Sequence, residues 1–95
     1  MYLTINRALS NAGISLSRGS HPEECEEWVV TGIADDMISF KSNTDIRIVI
    51  NIKHPENMMN HVFEAVKVLP DRTRKQIKRS HSFETVWNAS IDQMK

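Results

Sequence analysis

Asp45-Ile46-Arg47-Ile48-Val49-Ile50-Asn51-Ile52-Lys53 alternates its side chains over nine residues. Ile46, Ile48, Ile50 and Ile52 fall on one side, and Arg47, Val49, Asn51 and Lys53 on the other. Successive side chains of an extended chain point to opposite faces, so this pattern reads as a β-strand with one buried face and one wetter face. A sheet covered on one face only is usually antiparallel.

The residues before this strand supply its partners. Trp28-Val29-Val30-Thr31-Gly32-Ile33 is rich in β-branched and aromatic residues, Ala34-Asp35-Asp36 makes a turn, and Met37-Ile38-Ser39-Phe40 returns. Ser42-Asn43-Thr44 is the next turn. Further upstream, Ile14-Ser15-Leu16-Ser17 alternates and reads as one more short strand. Residues 4–12 read as a helix: Thr4 is a candidate N-cap, Ile5, Leu9 and Ala12 share a face, and Gly13 suits the left-handed residue that ends it.

After the isoleucine strand the period changes. Pro55 suits the first turn of a helix. Met58, Met59, Val62, Phe63, Val66 and Leu69 then follow 3.6 spacing, which predicts a helix over 55–69 that Pro70 stops. Asp71 is placed to cap another helix to about Ser80, and Ser82 a last one in which Phe83, Val86, Trp87, Ile91 and Met94 share an arc. The expected order is α-β-β-β-β-α-α-α. The expected fold class is α+β: one domain over residues 1–95, with an antiparallel sheet of three or four strands packed on C-terminal helices.

Composition bounds the function. The chain has 95 residues, of which 40% are hydrophobic and 25% charged, and twelve Lys+Arg balance twelve Asp+Glu. That balance argues against a polybasic nucleic-acid tail and against an acidic mimic. A domain this small buries only about 60% of its unfolded surface, leaving little space for an enclosed active site. The single cysteine, Cys25, forms no intramolecular disulfide, and the first ten residues lack a signal-peptide pattern. A reducing, cytoplasmic location is the expectation, and no apolar run is long enough to span a membrane.

The order helix, three strands, helix resembles the double-stranded RNA-binding domain. That family carries lysines at the N-terminus of its last helix, where phosphates bind. The matching segment here, His54-Pro55-Glu56-Asn57-Met58, has none, so the resemblance covers element order and not the binding residues.

Charge is unevenly distributed. Residues 1–70 hold six Lys+Arg and nine Asp+Glu, net −3; residues 71–95 hold six and three, net +3. The acidic extreme is Glu23-Glu24-Cys25-Glu26-Glu27. The basic extreme lies within residues 72–81, where Arg72, Arg74, Lys75, Lys78 and Arg79 are five cations among ten residues. On a helical wheel they span about 160° with Ile77 opposite. This predicts a cationic face for an acidic protein surface or for phosphates, and otherwise a solvated helix anchored by Ile77. No interleaved aromatics or Asn/Gln readers accompany it, so base readout has no support.

Catalytic and cofactor signals are missing from the motifs. His21 and Cys25 have no further ligands at zinc spacing, and the glutamates lack the spaced Asp/Asn and Gly of a calcium loop. His54 and His61 read as packing or surface residues, and His81 adjoins the basic face. Four neighbouring carboxylates are the opposite of what activates a thiol such as Cys25. No nucleophile motif or phosphate loop is present.

No catalytic, cofactor or metal site is therefore expected. The leading expectation is a small non-catalytic binding protein, an adaptor, inhibitor or modulator of a protein partner of the size that phages and mobile elements often encode. The alternative is a nucleic-acid-binding regulator using residues 72–81. The stripes containing Met58, Met59, Phe63, Trp87 and Met94 read as core, or as a surface for a homodimer or partner.

Overall fold

The computed structural model describes residues 3–14, 28–42, 46–53 and 61–94. Its elements are α1 (Ile5–Asn11), β1 (Trp28–Ile33), β2 (Met37–Ser42), β3 (Arg47–Lys53), β4 (Val62–Val68), β5 (Arg74–Ser80) and α2 (Phe83–Met94). The five strands form one antiparallel sheet in the order β1-β2-β3-β4-β5.

The isoleucine strand is β3, the middle strand of the five, and its burial is one-sided as its pattern predicts. Ile48, Ile50 and Ile52 are buried and Arg47, Val49, Asn51 and Lys53 are not. Register carries this face across the sheet: Phe40 and Ile48 are opposite, as are Ile38, Ile50 and Ala65, and Ile52 and Phe63. α2 packs on β3, β4 and β5. Phe83, Val86 and Trp87 face the sheet, and Trp87 meets Phe40 edge-on at a centroid distance of 5.1 Å. On the other side of the helix Glu84, Asn88 and Asp92 are exposed. Ser90 lies inside the buried arc, its hydroxyl donating to the Val86 carbonyl at 2.8 Å, so a polar side chain is satisfied without leaving the helix.

Leu3 and the α1 residues Ile5, Ala8 and Leu9 join the core. The N-terminus of α1 is tied to the β1–β2 turn by Ile5 N–H donating to the Asp35 carbonyl at 2.8 Å. The Arg7 N–H donates to the Thr4 hydroxyl at 3.2 Å. Gly13 has φ 73°, and Gly13 and Ile14 N–H groups donate to Ser10 and Leu9 carbonyls, the paired closure that a left-handed residue permits. Thr4→Ala should lower stability by about 1 kcal/mol, read from the urea midpoint, because it strips a cap from a helix of only seven residues.

Two of the expected helices are strands. The 55–69 stripe is, in its described part, β4, and the segment to Ser80 is β5. The sheet therefore has five strands instead of three or four, and one helix instead of three follows it among the described residues. The order helix, three strands, helix is likewise overturned, because β4 is the next described element after β3. In β4 Phe63 and Ala65 face α2 while Val62, Val66 and Val68 lie on the other face. Apolar residues on both faces hide a period of 2 and imitate one of 3.6. Pro70 is a turn residue, not a helix stop. Of the proposed 14–17 strand, Ile14 is outside any strand and packs against the core, and 15–17 lie outside the described residues.

Candidate binding surface

The β4–β5 hairpin positions the basic segment. Pro70 takes the second position of a tight turn, where its fixed φ is favourable. The Arg72 N–H donates to the Leu69 carbonyl at 2.8 Å, and the Leu69 N–H to the Thr73 carbonyl at 2.9 Å. This is a three-residue loop that needs a left-handed residue at its end, normally Gly or Asn. Here that residue is Arg72, at φ 72°. A side chain in that region costs about 1–2 kcal/mol.

Asp71 braces the turn through its side chain. The Thr73 hydroxyl and then the Thr73 N–H, 2.9 Å from Oδ1, hold its carboxyl below the usual carboxylate range, with Lys75 adding to the effect. A carboxyl depressed in the folded state contributes at neutral pH and loses its contribution as pH falls through the depressed value.

The predicted cationic helix face does not exist. Strand alternation splits its residues between the two sides of the sheet, and Arg72 belongs to the turn. Arg74 lies opposite Val68 and Arg79 opposite Glu64, on the face away from α2. Lys75 lies opposite Lys67, and Lys78 opposite Ala65, in register with the α2 side. A bulge makes this possible: Ile77 is the extra residue between Gln76 and Lys78, and it packs against the core. All five cations are exposed.

The face away from α2 is banded. One row across the sheet end runs Lys41, Arg47, Val68, Arg74, in consecutive cross-strand pairs. The next holds Ser39, Val49, Val66 and Gln76, and the third Met37, Asn51, Glu64 and Arg79. Glu64 sits 3.8 Å from Lys53 Nζ and 4.0 Å from Arg79 Nη1, so the acid of this face is engaged two rows from the cationic one. Like charges directly opposite destabilise a strand pair, and Lys41 and Arg47 are such a pair. The sequence reading missed Lys41 and Arg47 as site residues. The signal was available, since Arg47 lies on the outward face of the clearest strand and Lys41 ends the strand beside it.

At this end lies a cleft of about 310 Å³ walled by Lys41, Arg47, Val68, Leu69, Pro70 and Arg72. A second, of about 290 Å³, lies at the opposite end, lined by Ala8 of α1, Ala12 that caps it and Phe83 at the start of α2. His81 is there, not on the cationic row: its Nδ1–H donates to the His61 carbonyl at 2.8 Å, and the His61 ring meets Phe63 edge-on. Phe63 and Trp87 are core residues and offer no dimer surface, while Met58 and Met59 lie outside the described residues and the Met94 side chain is not described. His21, Glu23, Glu24, Cys25, Glu26, Glu27 and His54 also lie outside them.

Among the described residues, no three His, Cys, Asp or Glu come together as a metal site would require, and no helix is long and apolar enough to cross a membrane. Comparison with protein-family models, with curated proteins and with solved structures finds no match to this chain.

Proposed function

We propose that the protein is a small non-catalytic binding protein that takes an extended acidic segment of a protein partner along the edge of β5. The observation that carries this is the concentration of Arg74, Lys75, Lys78 and Arg79 on an outermost strand that pairs, among the described residues, only with β4. Leu69 and Thr73 are hydrogen-bonded partners. Alternation from that pair turns the N–H and C=O of Arg74 and Gln76 away from β4, where an added strand would meet them. Main-chain pairing supplies affinity in this mode, and cations on both sides of the strand select a segment rich in Glu or Asp. The same charges and the Ile77 bulge oppose pairing with a second β5. The lone cysteine supports a cytoplasmic setting for this activity.

The test is fluorescence anisotropy with three probes of equal charge: an alternating Val-Glu peptide, a peptide of the same charge with proline at alternate positions, and a single-stranded oligonucleotide. The alternating peptide should bind at least tenfold more tightly than the other two. R74Q/K75Q/K78Q/R79Q should keep the parent fold, since Gln preserves chain length and none of the four side chains is core, yet lose most of that binding, chiefly through slower association. Equal binding of the proline peptide would sink strand addition. Tighter binding of the oligonucleotide, with a salt slope that flattens by about 0.7 per lost contact on a single strand, would establish the nucleic-acid alternative instead.

A further inference from the structure

We infer that the cleft walled by Lys41, Arg47 and Arg72 is a binding site for the phosphoryl group of a small phosphate monoester. Three observations converge on it. First, the three cations come from three separate places in the chain, the end of β2, the start of β3 and the β4–β5 turn, and line one concavity. No carboxylate is among the described lining residues. Second, the Arg47 and Arg72 side chains make no hydrogen bond or ion pair with any described residue, so both guanidinium forks are available for a bidentate oxyanion.

Third, the backbone at Arg72 is held in a region where glycine would be at ease, and an arginine stands there. An outlier kept against a simple alternative is the kind of feature found at ligand clamps. Val68, Leu69 and Pro70 give the ligand a short apolar wall, while the dianionic charge of a phosphate monoester at neutral pH matches the two guanidinium charges of Arg47 and Arg72 better than a single carboxylate does. The volume, about 310 Å³, admits a phosphate with part of its ester group and falls at the small end of ligand sites, about 300–1,000 Å³. This inference does not rest on strand addition at β5, because Lys75, Lys78 and Arg79 take no part in it.

The experiment is an amide NMR titration of the whole chain at neutral pH with inorganic phosphate, glucose 6-phosphate and adenosine monophosphate, against sodium chloride at matched ionic strength. Saturating shifts at Lys41, Arg47, Leu69 and Asp71 to Thr73, with millimolar or tighter dissociation, are expected. The ester that binds most tightly identifies the source of the phosphoryl group. R47Q and R72G should each weaken binding at least tenfold; R72G also relieves the left-handed backbone, so its melting temperature should not fall. K78Q/R79Q should leave phosphate binding unchanged. Shifts that rise linearly without saturating, that chloride reproduces, or that are largest along Lys75 to Arg79 would overturn the site. So would R72G binding at parental strength.

Discussion

Ile50→Asp should leave the chain unfolded at room temperature. Ile50 is fully buried between Ile38 and Ala65 in register, in the middle strand of five. A carboxylate there would lose its hydration without gaining a partner, and a buried unpaired charge costs several kcal/mol even after relaxation. A domain of this size has a total stability near the lower end of about 5–15 kcal/mol, so the loss is comparable to the whole. Far-UV circular dichroism should show collapse of the strand signal, and Ile48→Asp should behave alike. Ile50→Val, which removes one methylene, should cost only about 0.5–1.5 kcal/mol in urea unfolding. A folded Ile50→Asp protein would mean that the isoleucine face is in water and α2 packs elsewhere.

Phe40→Ala should cost about 3–5 kcal/mol, because it empties a fully buried position and removes the ring that meets Trp87 edge-on. Phe40 is on β2, while α2 otherwise packs on β3, β4 and β5, so this ring pair extends the helix's hold to the next strand. In a Trp28→Phe background Trp87 is the sole indole, and its emission should move to the red as the helix loosens. A loss under about 1 kcal/mol with unshifted emission would show that the helix is docked by its other contacts alone.

The parts of the fold legible in the sequence were those whose burial is one-sided. The strand at 47–53 alternates cleanly because one face meets α2 and the other does not. The 28–40 hairpin carried β-branched residues around Ala34-Asp35-Asp36, and α1 and α2 announced themselves through Thr4, Gly13 and Ser82 at their ends. β4 was obscured because valines sit on its outer face as well, and only their β-branching argued for a strand.

β5 has almost no apolar content and is exposed on both sides, so it carries no period; Arg, Lys and Gln are good helix formers, and pairing with β4 overrides that preference. The candidate site suffered most from this. A helical wheel gathered five cations onto one face, whereas the sheet divides them and brings Lys41 and Arg47 from elsewhere in the chain. No spacing rule within residues 72–81 points to Lys41, because the two are joined only by the cross-strand register.

The sheet is a simple meander, each strand bonded to its neighbour in the chain, and this bears on how the molecule forms. Strand pairs joined by short turns close small loops, whose entropy cost grows only slowly with length. A low contact order follows, and with it fast folding for a protein with this much sheet. Hairpins of this kind form in about 1–10 μs in isolation. The contacts that must wait are those that bridge the helices to the sheet, Ile5 to Asp35 and Phe40 to Trp87, so α1 and α2 are expected to dock after the hairpins they meet exist. The Pro70–Arg72 turn, stiff at its proline and braced by Asp71, is the natural place for the β4–β5 hairpin to begin, which gives Asp71 and Thr73 a kinetic role in addition to their structural one.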